Sequence, residues 1–304
     1  MMTQTRSMLL LLLTMTVWGS TFVVTKDLVA LWPPFTLAFV RVSLGTLVLL
    51  PLAVSRHRRE NHLPWPTLWL MGLIGVALYY LTFNLAMVYV SASQGALVQA
   101  SIPAMTALVA VLWLRERASA MRWLGIALSV GGVLIVFSGS AGNGGGQSSL
   151  FGNFLMFASV VCWALYTSLA KRVAGFDSLV ITGAVIGTGA VLLAPLAGYE
   201  IFAANVAGEG LPPLPLRGWL GILYLGFVAS GLAYLLYNAS LRHLDASAVG
   251  VYTNLIPVVG VLTGVIVLGE PLSARAVIGG LVVMLGVWIT SRSERPVAAL
   301  ASET

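Results

Sequence analysis

The chain has 304 residues, of which 59% are hydrophobic and only 9% are charged, whereas soluble domains carry about 25% charged residues. This balance excludes an ordinary water-soluble fold. The net charge of +6 comes from basic residues in short connectors between apolar runs, so it predicts a charge pattern that orients the chain in a lipid bilayer, with no nucleic-acid partner. The single cysteine, Cys162, excludes an internal disulfide framework and a thiolate metal site.

The apolar runs are about 20 residues long and do not alternate, which is typical of membrane-spanning helices rather than of barrel strands. The first run follows Arg6 but no small-residue cleavage site follows it, so we interpret it as a retained helix. The sequence therefore predicts an all-α polytopic membrane protein. Its ten transmembrane helices are predicted at residues 8–27, 34–54, 66–89, 94–114, 123–138, 150–170, 178–199, 218–241, 247–268 and 276–291.

The distribution of basic residues predicts the orientation. With a cytoplasmic N-terminus, most of the 16 Lys and Arg residues fall in cytoplasmic connectors and tails, and only Lys26, Arg217 and Arg275 fall outside. An even number of spans places the C-terminus in the cytoplasm as well. Charge pattern and span count thus predict the same topology, in an inner or plasma membrane.

The two halves of the chain repeat each other. Aligning the sequence with itself brings tryptophan, tyrosine, asparagine, proline and glutamate into register, which chance similarity among apolar residues does not explain. The paired positions include Trp18 with Trp163, Trp65 with Trp219, Tyr80 with Tyr234, Asn84 with Asn238, Pro103 with Pro257 and Glu116 with Glu270.

The repeat predicts the domain organisation. Residues 1–140 form the first five-helix repeat, residues 141–149 a Gly-rich connector, residues 150–291 the second repeat and residues 292–304 a cytoplasmic tail. A half with five spans has an odd number, so the second half enters the membrane from the opposite side. Inverted repeats of this kind are the architecture of many secondary transporters, in which the halves move around a site near the midplane.

The two-times-five arrangement, with Trp18 and Trp163 in the first span of each half, resembles the EamA family of the drug/metabolite transporter superfamily. The segments Leu114-Arg-Glu-Arg-Ala-Ser and Leu268-Gly-Glu-Pro-Leu-Ser, followed by Gly-rich last spans, carry the same resemblance. It extends from about Met8 to Ser291 and implies a ten-helix exporter of amino acids or similar metabolites. The first half departs from the pattern at Arg115, where the second half has Gly269.

Two prolines predict helix kinks at matching positions, since a proline frees the carbonyl four residues earlier. Pro103 and Pro257 lie near the middle of spans four and nine, which points either to a binding site there or to purely structural kinks. Nearby side chains are too polar to face lipid, and they either line a cavity or bond helices together. The predicted substrate-binding residues are Trp18, Tyr80, Asn84, Gln99, Trp163, Tyr234, Asn238, Tyr252 and Asn254.

Three further features leave alternatives open. Arg41 is a cation within a span, which either holds a substrate carboxylate or binds backbone carbonyls. Glu116 and Glu270 end spans four and nine, and we predict loop-fixing carboxylates paired with Arg115, Arg117 or Arg275 rather than functional groups. Glycines spaced seven apart in spans five and ten predict close helix contact, either between the halves or in a homodimer.

Other functions find less support in the sequence. No catalytic residues, cofactor motif or metal site are predicted, and His57, Glu60 and His62 fit a solvated loop better than a metal site. We therefore predict a non-enzymatic, alternating-access secondary transporter that exports small polar metabolites such as amino acids or their derivatives. The alternatives are uptake or drug/proton antiport, or a channel or membrane scaffold.

Overall fold

The structure, a computed structural model, describes residues 4–56, 62–113, 115–116, 118–139, 149–241 and 252–292, without the side chains of residues 238, 239 and 241. These residues form ten main helices and no strand, which confirms the predicted all-α fold. Nine helices are long and apolar enough to cross a membrane, and α9 is shorter. The helices are α1 Gln4–Val29, α2 Pro34–Arg56, α3 Trp65–Tyr89, α4 Ala92–Trp113, α5 Ala120–Ser138, α6 Leu150–Val173, α7 Ser178–Val206, α8 Leu216–Tyr237, α9 Leu255–Leu268 and α10 Ala274–Arg292.

The predicted spans match these helices to within about one turn, except at two places. Helix α7 continues to Val206, beyond the predicted end at residue 199, because Glu200 stays helical and uses its carboxylate on another helix instead of ending its own. The predicted start of span nine, at residue 247, lies outside the described residues, as do residues 141–148 of the connector.

Helices α4 and α9 are irregular at equivalent positions. The α-helical hydrogen bonding of α4 stops after Gln99 and restarts at Ile102, and α9 begins at Leu255 directly after a turn at Asn254. Pro103 and Pro257 thus fall in the first turn of a restarted helix, where the missing N–H of proline leaves no bond unmade. Helices α3 and α8 each contain a π-helical segment, Leu73–Leu78 and Tyr224–Leu232.

The most extensive helix contacts join one half to the other. Helix α2 packs on α7, α5 on α10, α3 and α4 on α6, and α1 on α8 and α9. The interior of the bundle is therefore a boundary between the first five helices and the last five.

The seam between α5 and α10 is made of glycines. A β-carbon added at Gly132 would lie 2.7 Å from the carbonyl oxygen of Gly279, and one at Gly125 would lie 2.7 Å from that of Gly286. Backbones that approach this closely need small residues. Of the two predicted roles, the structure shows that these four glycines pack the halves of one chain together.

The alternating helix directions define two membrane faces. We call the "Glu270 face" the one where α2, α4, α6 and α10 begin, and the "Glu116 face" the one where α4 and α6 end and α5 and α7 begin.

Candidate functional site

A cavity of about 390 Å³ lies in the centre of the bundle, between the two halves. Its volume is in the range of small-molecule sites, roughly 300–1,000 Å³. Most of the predicted substrate-binding residues line it, together with Arg41 and both kink prolines. The lining residues among our predictions are Trp18, Arg41, Tyr80, Gln99, Pro103, Trp163, Tyr234, Asn254 and Pro257.

The cavity extends from the middle of the bundle to the Glu116 face. Its lining includes Ala170 near the end of α6, Thr182 near the start of α7, and Thr253 just before α9. Ala170 and Thr182 belong to helix ends at that face, whereas Thr253 lies at the break beside Asn254, the position equivalent to Gln99 in α4. Arg41, which lies two turns from the Glu270 face in α2, marks the opposite limit of the cavity.

Aromatic rings from both halves form the cavity walls. The Trp18 ring lies 5.2 Å from that of Tyr234 and also 5.2 Å from that of Tyr237, and its indole N–H donates to the carbonyl of Ala229 at 3.1 Å. Both tyrosines belong to the second half. Ring pairs at such distances contribute about 0.5–1.5 kcal/mol beyond the area that they bury.

The second predicted tryptophan makes the reciprocal contact. The ring of Trp163 in α6 lies 5.2 Å from that of Tyr79 in α3 and 5.2 Å from that of Tyr166. Each tryptophan of one half therefore contacts a tyrosine of the other, although the repeat pairs Tyr234 with Tyr80 and the ring beside Trp163 is that of Tyr79.

Two of the polar side chains in the lining are held by hydrogen bonds to serines of the other half. The side-chain amide of Gln99 donates to the hydroxyl of Ser159 at 2.8 Å, which ties α4 to α6 beside the break in α4. Arg41 is 4% exposed, donates from Nε to the Ser230 hydroxyl at 3.1 Å, and places its guanidinium 4.6 Å from the centre of the Tyr80 ring.

Two described residues of the predicted set, Asn84 and Tyr252, are not among those that line the cavity. Asn84 is fully buried and donates to the carbonyl of Pro34 at 3.1 Å, because one turn beyond Tyr80 the face of α3 meets the start of α2 instead of the cavity. Tyr252 is half-buried against the cluster that contains Leu11 and Met15. The side chain of Asn238 lies outside the described part of the chain.

The carboxylate of Glu270 caps a helix of the opposite half. It is 5% exposed and accepts from the backbone N–H groups of Ala92 at 2.7 Å and Ser93 at 2.8 Å, and from the Ser93 hydroxyl at 2.7 Å. The predicted pairing with Arg275 is wrong, since Arg275 donates to the carbonyl of Ser138. Free N–H groups at a helix start attract a carboxylate more strongly than an exposed arginine does.

Glu200 acts on α2 in the same way. Its carboxylate accepts from the backbone N–H groups of Phe35 at 3.2 Å and Thr36 at 2.6 Å, and from the Thr36 hydroxyl at 2.9 Å. On the same face Trp32 donates to the carbonyl of Pro212 at 3.0 Å. The Glu270 face is thus held together by several bonds between the halves.

Glu116 has different partners at its own face. It bonds Lys171 at 2.7 Å and Arg122 at 3.3 Å, not the predicted Arg115, whose backbone has a φ of 55°; predicted partner Arg117 lies outside the described residues. The hydrogen bond from Lys171 is the largest cause that lowers the pKa of the Glu116 carboxyl, and partial burial opposes it. Among the described residues, no cluster of His, Cys, Asp and Glu could hold a metal.

Comparison with known proteins gives this architecture a family. The model of the EamA-like transporter family matches residues 5–138 and again residues 150–292. The chain belongs to the EamA-like transporter family. Its members are transporters, and the two matches coincide with the two sets of five helices.

Several relatives of this chain are also named as transporters. An uncharacterized transporter of Archaeoglobus fulgidus is 28% identical over 93% of this chain and 98% of its own length. The uncharacterized transporter YyaM of Bacillus subtilis is 30% identical over 90% of this chain and 89% of its own. The uncharacterized inner membrane transporter YedA of Escherichia coli K12 is 30% identical over 84% and 81%.

A solved structure shares the fold of the transporter. It is a crystal structure of a protein that superposes on this chain with a TM-score of 0.63 and 20% identity. The match covers 99% of this chain and all of that one. At this identity the likeness concerns the fold alone.

Sequence reasoning missed several residues of the transporter's cavity. Tyr166 follows Trp163 by three residues and Tyr237 follows Tyr234 by three, so helical spacing alone predicts that they share a face with residues already chosen. Tyr79 adjoins Tyr80, and no spacing argument selects both. The missed lining residues include Thr21, Phe22, Tyr79, Phe83, Tyr166, Thr167, Thr182 and Tyr237.

Proposed function

We propose that this transporter works by alternating access and exports small polar metabolites such as amino acids or their derivatives. One observation carries the proposal: the central cavity reaches the Glu116 face, while bonds between the halves hold the Glu270 face together. A site that reaches one side while the other is tied is one of the two end states of alternating access.

The direction follows from the proposed orientation. Most basic residues lie in connectors at the Glu116 face, which favours a cytoplasmic Glu116 face and cytoplasmic termini. The relative from Escherichia coli is named an inner membrane transporter, which supports the same membrane here. In this orientation the cavity is filled from the cytoplasm, which is the loading step of an exporter.

Flux measurements in liposomes test the proposal. Purified protein is reconstituted, and efflux of labelled amino acids and related metabolites is followed with and without a pH gradient. We expect saturable flux for at least one group of solutes. Absence of flux for the whole panel, from protein that remains folded, would favour a scaffold, while flux that does not saturate would favour a channel.

Cysteine labelling tests the access to the cavity. The chain has one cysteine, Cys162, so Cys162→Ala provides a background into which Thr167→Cys is introduced. Thr167 lines the cavity, and we expect a charged thiol reagent to label it from the cytoplasmic side and a transported solute to slow that reaction. Val191→Cys is the matched control. Val191 is exposed in the middle of the spanning helix α7, where we expect it to face lipid, so a charged reagent should leave it unlabelled. Equal labelling of Thr167→Cys from both sides would contradict alternating access.

A further inference from the structure

The guanidinium of Arg41 is a buried cation with unused bonding capacity. A guanidinium has five N–H donors, and here Nε donates to Ser230 while Nη1 is buried with no hydrogen-bond partner. A structural arginine in a membrane bundle would satisfy these donors with backbone carbonyls. Arg41 also lines the central cavity, so the side chain that carries this unpaired donor borders the space that a solute enters.

No carboxylate of the described residues compensates this charge. The part of the cavity lining that the structure describes contains no Asp or Glu. The described acidic residues lie near helix ends or in connectors, and most have partners of their own. Asp27 pairs with Arg217, and Glu116 pairs with Lys171. Three others accept from backbone N–H groups at helix starts: Asp177 at α7, Glu200 at α2 and Glu270 at α4. The cavity therefore has a positive centre at its closed end.

The surroundings of Arg41 fix its direction. Ser230 holds Nε on one side, and the Tyr80 ring lies against the guanidinium at 4.6 Å on another. A cation over a tyrosine ring is stabilised by the negative face of the ring without losing its charge. The guanidinium is thus held in one orientation, with Nη1 left for a further acceptor.

We propose that the transported solute carries a carboxylate that binds Arg41 and an apolar body that lies among the aromatic rings of the cavity. This inference rests on the proposed transport function and adds the chemical class of the solute. Arginine binds carboxylates with paired, charge-assisted hydrogen bonds, and the walls formed by Trp18, Trp163 and Tyr234 supply apolar surface but no anionic group. The same charge disfavours solutes with a net positive charge, which excludes cationic drugs.

A series of solutes with one body and three charges tests the proposal. N-acetylphenylalanine, phenylalanine and phenylalaninamide carry about −1, 0 and +1 at neutral pH, and the corresponding leucine series replaces the ring with an aliphatic body. Binding to the full chain in lipid nanodiscs is measured by competition with a labelled carboxylate. We expect both carboxylates of a series to bind and the amide to bind at least tenfold more weakly.

Substitutions at Arg41 connect that selectivity to one residue. Arg41→Gln is expected to weaken binding of the carboxylates by about 10- to 100-fold, since it removes a charge-assisted pair. It should strengthen binding of the amide, because it also removes the repulsion between two cations. Arg41→Lys keeps the charge without the paired donors and is expected to give an intermediate loss. Arg217→Gln, which removes an exposed arginine outside the cavity, is the matched control and should bind like the wild type.

The outcomes separate this inference from the transport function. Amides that bind as well as carboxylates, or carboxylate binding that Arg41→Gln and Arg41→Lys leave intact, would overturn the inference. Flux only of solutes that lack a carboxylate would overturn it while transport stands. If no solute of a broad panel moves, both fail. Should Arg41→Gln not fold, the solute series and Arg41→Lys still decide.

Discussion

The cap that Glu270 places on α4 leads to a specific prediction about stability. Glu270→Gln keeps the size of the side chain but leaves one acceptor oxygen where the carboxylate has two. If that oxygen keeps the bonds with Ser93, the side-chain NH₂ faces the N–H of Ala92, and two donors then meet in a buried site. A lost hydrogen bond to a buried charged group costs about 1.5–3 kcal/mol, and loss of the charge at a helix start adds about 0.3–1 kcal/mol.

We therefore expect Glu270→Gln to lower the free energy of unfolding by about 2–4 kcal/mol. Unfolding is followed by circular dichroism during titration of mixed micelles with a denaturing detergent. Glu209→Gln is the matched control, since Glu209 is an exposed acidic residue near the same face, and its unfolding should be unchanged. Equal losses in both variants would point to net charge instead of the cap.

A double-mutant cycle isolates the bond itself. Ser93→Ala removes one of the three donors to Glu270, so its effect should be smaller in the Glu270→Gln background than in the wild type, because contacting residues are not additive. Additive effects of Ser93→Ala and Glu270→Gln, or a loss below about 0.5 kcal/mol for Glu270→Gln, would refute the reasoning.

Three further predictions concern other sites. Gly132→Val should destabilise by at least about 2 kcal/mol, measured in the same titration, because its β-carbon would meet the backbone of α10; Gly131→Val, where a β-carbon meets nothing within 4 Å, should not. Arg115→Gly should stabilise by about 0.5–1 kcal/mol because Arg115 has a left-handed φ of 55°, and a loss would contradict that. Because the pKa of Glu116 is lowered, its ion pairs stabilise the fold above its ordinary pKa, and this stabilisation is lost as pH falls through the lowered value. The unfolding temperatures of the wild type and Glu116→Gln should therefore converge at acidic pH. A difference between them that stays constant with pH would contradict the ion pairs.

The fold could be predicted because its signals are local and strong. Runs of about 20 apolar residues leave few alternatives to spanning helices, and the repeat follows from residues such as Trp18 and Trp163 without any knowledge of contacts. The end of α7 could not be predicted in this way, since a charged residue such as Glu200 normally marks the end of an apolar span. Its carboxylate stays in the helix because the start of α2, distant in sequence, supplies the N–H groups that it binds.

Helical spacing predicts which residues of the site share a helix face, but it does not predict what each face contacts. Tyr80 and Asn84 share a helix face, yet Tyr80 lines the cavity while Asn84 bonds the start of α2, because the neighbour of that face changes within one turn. The partners of Glu116 and Glu270 also depend on which helix ends meet across the halves. The residues that precede the two glutamates have the same left-handed backbone, with φ of 55° at Arg115 and 65° at Gly269. The hydrogen-bond partners of the two carboxylates nevertheless differ.

Under the proposed alternating access, the cross-half ring contacts couple solute occupancy to the arrangement of the halves. Trp18 meets Tyr234, and Trp163 meets Tyr79, so the rings that enclose a solute are also those through which the halves attract each other. A solute that inserts between such rings exchanges ring–ring contacts for ring–solute contacts and changes the free energy of rocking by the difference. By linkage, the arrangement that the solute stabilises is also the one that binds it most tightly.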